Sequence, residues 1–155
     1  MPGWTKILCP IDFSDNSRRG MHEALEIAKA HGARVYLLHV LEEPWPATRG
    51  DPIAPPEFLH RLNERVQADL ATWKKDADAI APGKVITEMI GGHPATEIVR
   101  VAREGGFDLV VMGTHGRRGL RRLFIGSVTE EVIRTAPCSV LAVRPRSDDF
   151  QVQPD

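Results

Sequence analysis

Residues 109–129 read Leu-Val-Val-Met-Gly-Thr-His-Gly-Arg-Arg-Gly-Leu-Arg-Arg-Leu-Phe-Ile-Gly-Ser-Val-Thr, and the interpretation of the whole chain depends on this stretch. Its first four residues are apolar, which predicts a strand that is buried on both faces. The strand pattern stops at Gly113, and a second glycine follows at Gly116. Ser127 with Glu130 three residues later is a capping-box pattern, so we expect a helix to begin there with Ser127 as its N-cap.

The segment between the predicted strand and the predicted helix is positively charged. It has no acidic residue before Gly126, and its four arginines are Arg117, Arg118, Arg121 and Arg122. Glycine lets backbone N–H groups approach a ligand closely, a helix N-terminus offers unpaired N–H donors, and arginine adds charge that suits phosphate. The stretch therefore predicts a strand–loop–helix site for a phosphorylated small molecule. The alternative is an ordinary connection whose basic loop is solvated.

The overall composition implies that any anion site must be local. The chain has 155 residues, 42% of them hydrophobic, and a net charge of -1, which is typical of one soluble domain. This balance gives no general attraction to nucleic acid or to anionic membranes, and no apolar run approaches the roughly 18 residues of a membrane span. Cys9 and Cys138 have no metal-ligand spacing, and the first residues do not resemble a signal peptide. We expect a cytoplasmic protein without nucleic-acid or membrane partners.

Apolar strands alternate with amphipathic helices along the chain. The predicted strands cover residues 6–11, 35–40, 85–90, 109–112 and 139–143. The predicted helices run from a cap at Ser14 or Asp15 to His31, over about 57–79, from Pro94 to Gly105, and over 127–134. This alternation predicts a single α/β domain with a doubly wound five-stranded parallel sheet and helices on both faces.

Two segments lie outside this alternation. Residues 41–56 are rich in proline, which excludes regular structure and predicts a lid, a partner surface or a mobile insertion. We assign residues 1–146 to the domain and expect residues 147–155 to form a disordered tail. In a doubly wound sheet the ligand lies beyond the carboxyl ends of the strands where the strand order reverses. If the first and fourth strands are neighbours, Asp12 and the loop after Gly113 face the same crevice.

Three motifs carry a resemblance to a known family. Gly113-Thr114-His115-Gly116 is followed by nine residues and then by Gly126-Ser127. Residues 7–14 and 136–143 are similar to a first and a last strand of the same family, although Ser139 stands where a proline is common. On these motifs the sequence resembles the universal stress protein family over residues 4–144, and within it the ATP-binding subgroup. The resemblance implies a Rossmann-like fold of the adenine nucleotide alpha hydrolase type, with the strand order 3-2-1-4-5.

The resemblance also implies a nucleotide site. Asp12 would approach the adenosine, Pro10 and Ile11 would line its pocket, and the Val40 backbone would meet adenine. The ribose and phosphates would be surrounded by Met112, Gly113, His115 and Gly116, with Arg117 as a possible charge partner. The phosphates would be held through N–H and hydroxyl groups by Gly126, Ser127, Val128 and Thr129. Mg²⁺ would be carried by the phosphates of ATP, ADP or AMP, and no separate metal site or catalytic residue is expected.

Family members commonly form homodimers through the last strand. In this sequence the corresponding apolar edge consists of Val140, Leu141, Ala142 and Val143, and an unpaired edge of that kind invites a partner strand.

Several of these residues have a structural alternative. Asp12 could simply cap a turn, Ser127 could serve only as an N-cap, and His115 and the arginines could be solvated. Cys9 is expected to be an inert buried thiol. The remaining histidines, His39 among them, show no ligand spacing.

Three functions remain open on the sequence alone. The first is an ATP-binding regulatory module of the stress response. The second is a slow ATPase or an ATP-dependent transferase, although the chain lacks a Walker-type phosphate loop and a Gly-x-Ser-x-Gly motif. The third is a nucleotide-free dimeric interaction protein. The glycine motif counts against the third function, because without a ligand nothing would require Gly113, Gly116 and Gly126.

Overall fold

The computed structural model describes residues 3–42, 55–115 and 125–146. Its elements are, in chain order, β1 (Lys6–Pro10), α1 (Asp15–His31), β2 (Arg34–Leu41), α2 (Pro56–Ile80), β3 (Val85–Gly91), α3 (Pro94–Glu104), β4 (Leu109–Gly113), α4 (Ser127–Thr135) and β5 (Ser139–Val143). The predicted alternation is confirmed. Several predicted features lie outside the described residues: Gly116, Arg117 and the other three arginines, most of the proline-rich segment, and the tail 147–155.

The five strands form one parallel sheet in the order β3-β2-β1-β4-β5, as the sequence predicts. β1 lies at the centre and pairs with β2 on one side and with β4 on the other, in a register that sets Ile7 opposite Leu109. The strand order therefore reverses between β1 and β4. The carboxyl ends of these two strands open into the crevice where such sheets bind their ligands.

The two faces of the sheet build two separate cores, because successive strand residues point to opposite faces. One core joins the sheet to α1 and α2, and its helix residues include Met21, Leu25, Val66, Leu70 and Trp73. The other joins the sheet to α3 and α4, and its helix residues include Ala95, Ile98, Val99, Ala102 and Val132. Along β1, Ile7 and Cys9 face the first core and Leu8 faces the second.

The start of α1 agrees with the sequence prediction, whereas the cap of α4 does not. Ser14 is the N-cap of α1, and its hydroxyl accepts a hydrogen bond from the Ser17 N–H at 3.1 Å. In α4 the N-cap is Gly126, with φ -58° and ψ 151°, and there is no side-chain cap. Ser127 is already the first helical residue, so the predicted N-cap role of Ser127 is wrong by one position. The prediction that the helix begins at Ser127 is confirmed.

Candidate functional site

The end of β1 leads into a turn that Asp12 helps to build. Oδ1 of Asp12 accepts a hydrogen bond from the Ser14 N–H at 3.0 Å, and the Asp12 N–H donates to the Ser17 hydroxyl at 3.2 Å. Phe13, between these residues, has a positive φ of 64°, which is uncommon for a residue other than glycine. The half-buried Asp12 carboxylate is therefore fixed at the mouth of the crevice. Asp12 therefore caps a turn, which is the structural alternative that the sequence left open.

The end of β4 is held against the first turn of α1 by Asn16. Its Oδ1 accepts a hydrogen bond from the His115 N–H at 2.7 Å. A Cβ atom added to Gly113 would lie 2.5 Å from that same Oδ1 and 2.9 Å from the Asn16 carbonyl oxygen. Close packing against α1 is thus sufficient to require glycine at 113. This corrects the assumption that only a ligand would require the motif glycines.

The end of β4 is also tied to the start of α4. The Thr114 N–H donates to the Val143 carbonyl at 3.0 Å, and the Gly126 N–H donates to the Thr114 carbonyl at 2.6 Å. The hydroxyl of Thr129 donates to the Gly113 carbonyl at 2.8 Å, and Thr129 is only 3% exposed. The first of these bonds joins the end of β4 to the end of β5, and the other two place the N-terminus of α4 directly beside the end of β4.

The N-terminus of α4 presents most of the groups that the sequence assigned to phosphate, but the Gly126 N–H is engaged by the Thr114 carbonyl, which differs from its predicted role. The first N–H groups of a helix have no partner inside the helix, and the positive end of the helix dipole lies there. Ser127 is exposed and Val128 is half-buried at this end. Thr129 differs from its prediction in one respect, since its hydroxyl hydrogen is engaged by Gly113. Only its N–H remains as a donor at the helix end.

One ring nitrogen of His115 has no hydrogen-bond partner among the described residues. Its Nδ1 lies 2.8 Å from the hydroxyl oxygen of Thr114. Its Nε2 is buried and has no hydrogen-bond partner within residues 3–42, 55–115 and 125–146. Buried polar side-chain atoms are nearly always paired. A polar atom of this kind beside Gly113 suits a site that receives a polar ligand.

β2 continues beyond the end of β1 and directs backbone groups of Val40 into the crevice. The Ile11 N–H donates to the Leu38 carbonyl at 2.8 Å, whereas the Leu41 carbonyl accepts from the neighbouring β3 side. Because backbone groups of successive residues alternate between the two sides of a strand, the N–H and C=O of Val40 point to the β1 side. A hydrogen bond from the Val40 N–H to the Ile11 carbonyl would continue the ladder. It is absent among the described residues.

Other predicted pocket residues are largely enclosed by the cores. Ile11 is 4% exposed and packs in the core of α1 and α2, and Met112 is 5% exposed and packs in the core of α3 and α4. Pro10 is the last residue of β1 and is also buried. A ligand in the crevice would meet mainly the backbone of these residues.

A groove of about 330 Å³ lies elsewhere, on the open face of β2 beside α3. The Lys6 ammonium group donates to the Gly105 carbonyl at 2.5 Å and lies over the rings of Tyr36 and Phe107. Arg100 pairs with two glutamates of its own helix. The cations at this groove are therefore engaged by the protein itself, and the crevice at β1 and β4 remains the better candidate site.

Neither thiol is activated. Burial raises the pKa of Cys9 from 9.0 to about 12, and burial together with the Asp108 carboxylate raises the pKa of Cys138. The parts of the chain that the structure describes contain no group of three or more histidine, cysteine, aspartate or glutamate residues suited to a metal ion. They also contain no helix with the length and apolar character needed to cross a membrane.

The fold and the crevice define a Rossmann-like α/β domain whose strand order reverses between β1 and β4. The model of the universal stress protein family matches residues 3–144, and the chain belongs to that family.

Individual relatives agree with this assignment. The universal stress protein MJ0531 of Methanocaldococcus jannaschii is 39% identical over 143 residues, which cover 91% of this chain and 82% of the relative. The solved structure of the universal stress protein UspA from Lactobacillus plantarum is similar with a TM-score of 0.82 and 27% identity, over 92% of this chain and 99% of that one. A universal stress protein solved in complex with cAMP has a TM-score of 0.70 at 23% identity, over 92% and 98% of the two chains, and shows likeness of fold.

Sequence reasoning missed two residues of this site. Asn16 follows the N-cap of α1, and nothing in a sequence pattern indicates that it reaches His115, from which it is separated by 99 positions. The sequence marked His39 only as a histidine without ligand spacing. A lone polar residue near the carboxyl end of a buried strand was the available signal, because that is where ligand crevices form.

Proposed function

We propose that this protein binds an adenine nucleotide, ATP or its relatives ADP and AMP, in the crevice between the ends of β1 and β4. In this proposal it acts as a nucleotide-dependent regulatory module of the stress response. The observation that carries the proposal is the pair of Val40 backbone groups that point past the end of β1.

The Val40 backbone suits adenine better than guanine. A backbone N–H and C=O that lie on one side of a strand offer one donor and one acceptor next to each other. Adenine presents an acceptor at N1 beside a donor at the N6 amino group, which complements this pair. Guanine and hypoxanthine present a donor at N1 beside an acceptor at O6, which is the inverse pattern. The proposal therefore includes a preference for ATP over ITP and GTP.

The phosphates fit the N-terminus of α4. Ser127, Val128 and Thr129 offer the N–H groups of its first turn, which have no partner inside the helix. The Gly126 N–H already donates to the Thr114 carbonyl, so Gly126 would border the phosphates without donating to them. These residues lie beside the end of β4 through the bonds at Thr114 and Gly113. Asp12, Gly113 and His115 would border the ribose between the two ends, and Gly116 and Arg117 remain predicted contacts. Mg²⁺ would be held by phosphate oxygens and water, because that ion binds readily with few protein ligands.

Calorimetric titration with Mg-ATP tests this proposal. Gly126→Val is a suitable variant, because φ -58° and ψ 151° are allowed for any residue and the added side chain would lie at the phosphate end. Asp12→Asn keeps an acceptor for the Ser14 N–H, whereas Asp12→Ala also removes the turn bond. We expect binding by the wild type, weaker binding by Gly126→Val and Asp12→Asn at unchanged melting temperature, and weaker binding by ITP. A wild type that gives no heat with any adenine nucleotide would refute the proposal.

The two alternative functions can be tested on the same protein preparation. Continuous phosphate release from bound ATP would favour a slow ATPase or a transferase. Absence of binding combined with a stable dimer would favour a nucleotide-free interaction protein, an alternative that gains weight because packing against Asn16 accounts for Gly113.

Assembly and location belong to the proposal as well. β5 is an edge strand, and Leu141 in it is 39% exposed. We propose that a homodimer forms by contact between the β5 strands of two copies, Val140 to Val143, and that the protein works in the cytoplasm.

A further inference from the structure

The His39 side chain makes a hydrogen bond at the position where the backbone hydrogen-bond ladder between β1 and β2 would otherwise continue. In a regular parallel ladder, the Val40 N–H would donate to the Ile11 carbonyl, after the Ile11 N–H has donated to Leu38. The structure instead places Nδ1 of His39 2.9 Å from the Ile11 carbonyl oxygen. A side chain has replaced a backbone donor at this rung.

The acceptor determines which ring nitrogen of His39 carries the hydrogen. A carbonyl oxygen can only accept a hydrogen bond, so Nδ1 must carry the hydrogen. The Ile11 carbonyl belongs to a residue that is 4% exposed, so it needs a donor in the folded protein. With His39 in place, that donor does not have to be Val40.

We propose that His39 is a positioning residue for purine recognition: by satisfying the Ile11 carbonyl, it keeps the Val40 N–H out of the sheet and available to the base. This inference rests on the proposed nucleotide function. It adds a reason why, among the described residues, the Val40 N–H makes no bond to the Ile11 carbonyl. The effect is on base specificity, since the N–H of Val40 is the donor that distinguishes adenine N1 from the protonated N1 of hypoxanthine.

The His39 ring is held in this position by an aromatic cluster. The ring of Phe13 lies 4.6 Å from the His39 ring, centroid to centroid, and meets Trp73 edge-on at 5.5 Å. The Arg18 guanidinium lies 4.3 Å above the Trp73 ring and pairs with Asp76. The positive φ of Phe13 turns the chain after β1 so that its ring reaches His39. The donor is therefore placed by packing as well as by its own hydrogen bond.

Removing the donor should restore the regular ladder. In His39→Leu the Ile11 carbonyl loses its partner, and the nearest backbone donor is the Val40 N–H. Pairing those two groups adds one rung to the sheet and withdraws the donor from the crevice. His39→Asn is the matched control, because its side-chain amide N–H can take the place of Nδ1.

The test has two measurements, and the first needs no ligand. Amide hydrogen exchange of Val40 is compared with that of Leu38, which lies inside the ladder, in the free wild type, His39→Asn and His39→Leu. We expect low protection of Val40 in the first two and at least about tenfold higher protection in His39→Leu, since a lost or gained hydrogen bond changes opening by about that factor. Unchanged protection in His39→Leu would overturn the inference, whether or not the protein binds nucleotide.

The second measurement is the ratio of ATP affinity to ITP affinity by calorimetry. We expect His39→Leu to lose about tenfold in ATP affinity while ITP changes little, and His39→Asn to keep the wild-type ratio. An equal loss for both nucleotides would indicate a merely structural role and would count against the inference. If His39→Leu does not fold, His39→Phe keeps a ring against Phe13 without a donor and carries both measurements. A wild type that binds no nucleotide defeats the proposed function, and the exchange result still decides the backbone arrangement.

Discussion

Oδ1 of Asn16 lies 2.5 Å from the position that a Cβ atom would take on Gly113. The same oxygen accepts the His115 N–H, so a single side chain in the first turn of α1 fixes both the end of β4 and the start of the loop after it. Glycine at 113 is required by this packing before any ligand is considered. Gly126 is different, because its backbone angles are open to all residues.

Gly113→Ala is expected to destabilise the protein by about 1–3 kcal/mol, the usual cost of overpacking. The new methyl group would overlap both the side chain and the carbonyl oxygen of Asn16, and the carbonyl cannot move without α1. Thermal unfolding followed by circular dichroism measures the change. Gly91→Ala is the control, because its Cβ would lie 3.9 Å from the nearest atom, and it should leave the melting temperature almost unchanged. Equal melting temperatures for the two variants would contradict the packing argument.

Thr129→Val is expected to cost about 1–3 kcal/mol, because it leaves the buried Gly113 carbonyl without its donor. For a chain of this length, each kcal/mol lowers the melting temperature by about 2–4 °C. Thr135→Val removes a similar hydroxyl-to-carbonyl bond, to Glu131, at an exposed position of the same helix. It should cost much less. If Thr135→Val were as damaging as Thr129→Val, burial would not be the reason for the effect.

Leu141→Lys is expected to shift the proposed dimer towards the monomer, because it places a charge on the exposed side of β5. Sedimentation velocity over a range of concentrations measures the shift. Ile86→Lys is a matched control on the opposite edge strand, since Ile86 is 40% exposed and Leu141 is 39% exposed. A dimer that survives Leu141→Lys and dissociates in Ile86→Lys would assign the contact to β3 instead.

Cys9 is expected to resist alkylation in the folded protein even at pH 9. Its pKa is about 12 when folded and 9.0 when exposed, so about half of it is thiolate at pH 9 only after unfolding. The raised pKa has a consequence for stability as well. The free energy of unfolding should fall as the pH rises above 9, since the unfolded state then loses a proton that the folded state retains.

Iodoacetamide labelling read by mass spectrometry checks this expectation, with the urea-unfolded protein as reference. Cys138, which is only half-buried, serves as the internal control and should react first. Labelling of Cys9 at the same rate before and after unfolding would contradict the assigned burial.

The sheet could be predicted because its signals are local and repeated. Apolar runs separated by helical patterns predicted the five strands and the element bounds to within one residue or so, and the family resemblance predicted the order 3-2-1-4-5. Capping was less certain, since a Ser-x-x-Glu pattern does not distinguish an N-cap from the first helical residue. Ser14 proved to be a cap and Ser127 did not.

The chemistry of the crevice was harder to predict because it depends on contacts between distant residues. The approach of Asn16 to Gly113 and of His39 to Ile11 leaves no periodic signal, and both residues were passed over. The family motif indicated the carboxyl end of the sheet, where the end of β4 meets the start of α4. It attributed the glycine at 113 to a ligand, whereas the first turn of α1 already requires it.

The hydrogen bond from the Gly126 N–H to the Thr114 carbonyl joins the two residues that flank the segment with the four arginines. Both ends of that segment are anchored by groups outside it, and the closure entropy of a loop grows only slowly with its length. The segment can therefore be replaced by a longer or shorter one with another charge pattern, while the sheet is kept. A library grafted between these two positions would test whether the segment selects the proposed ligand while the core is kept.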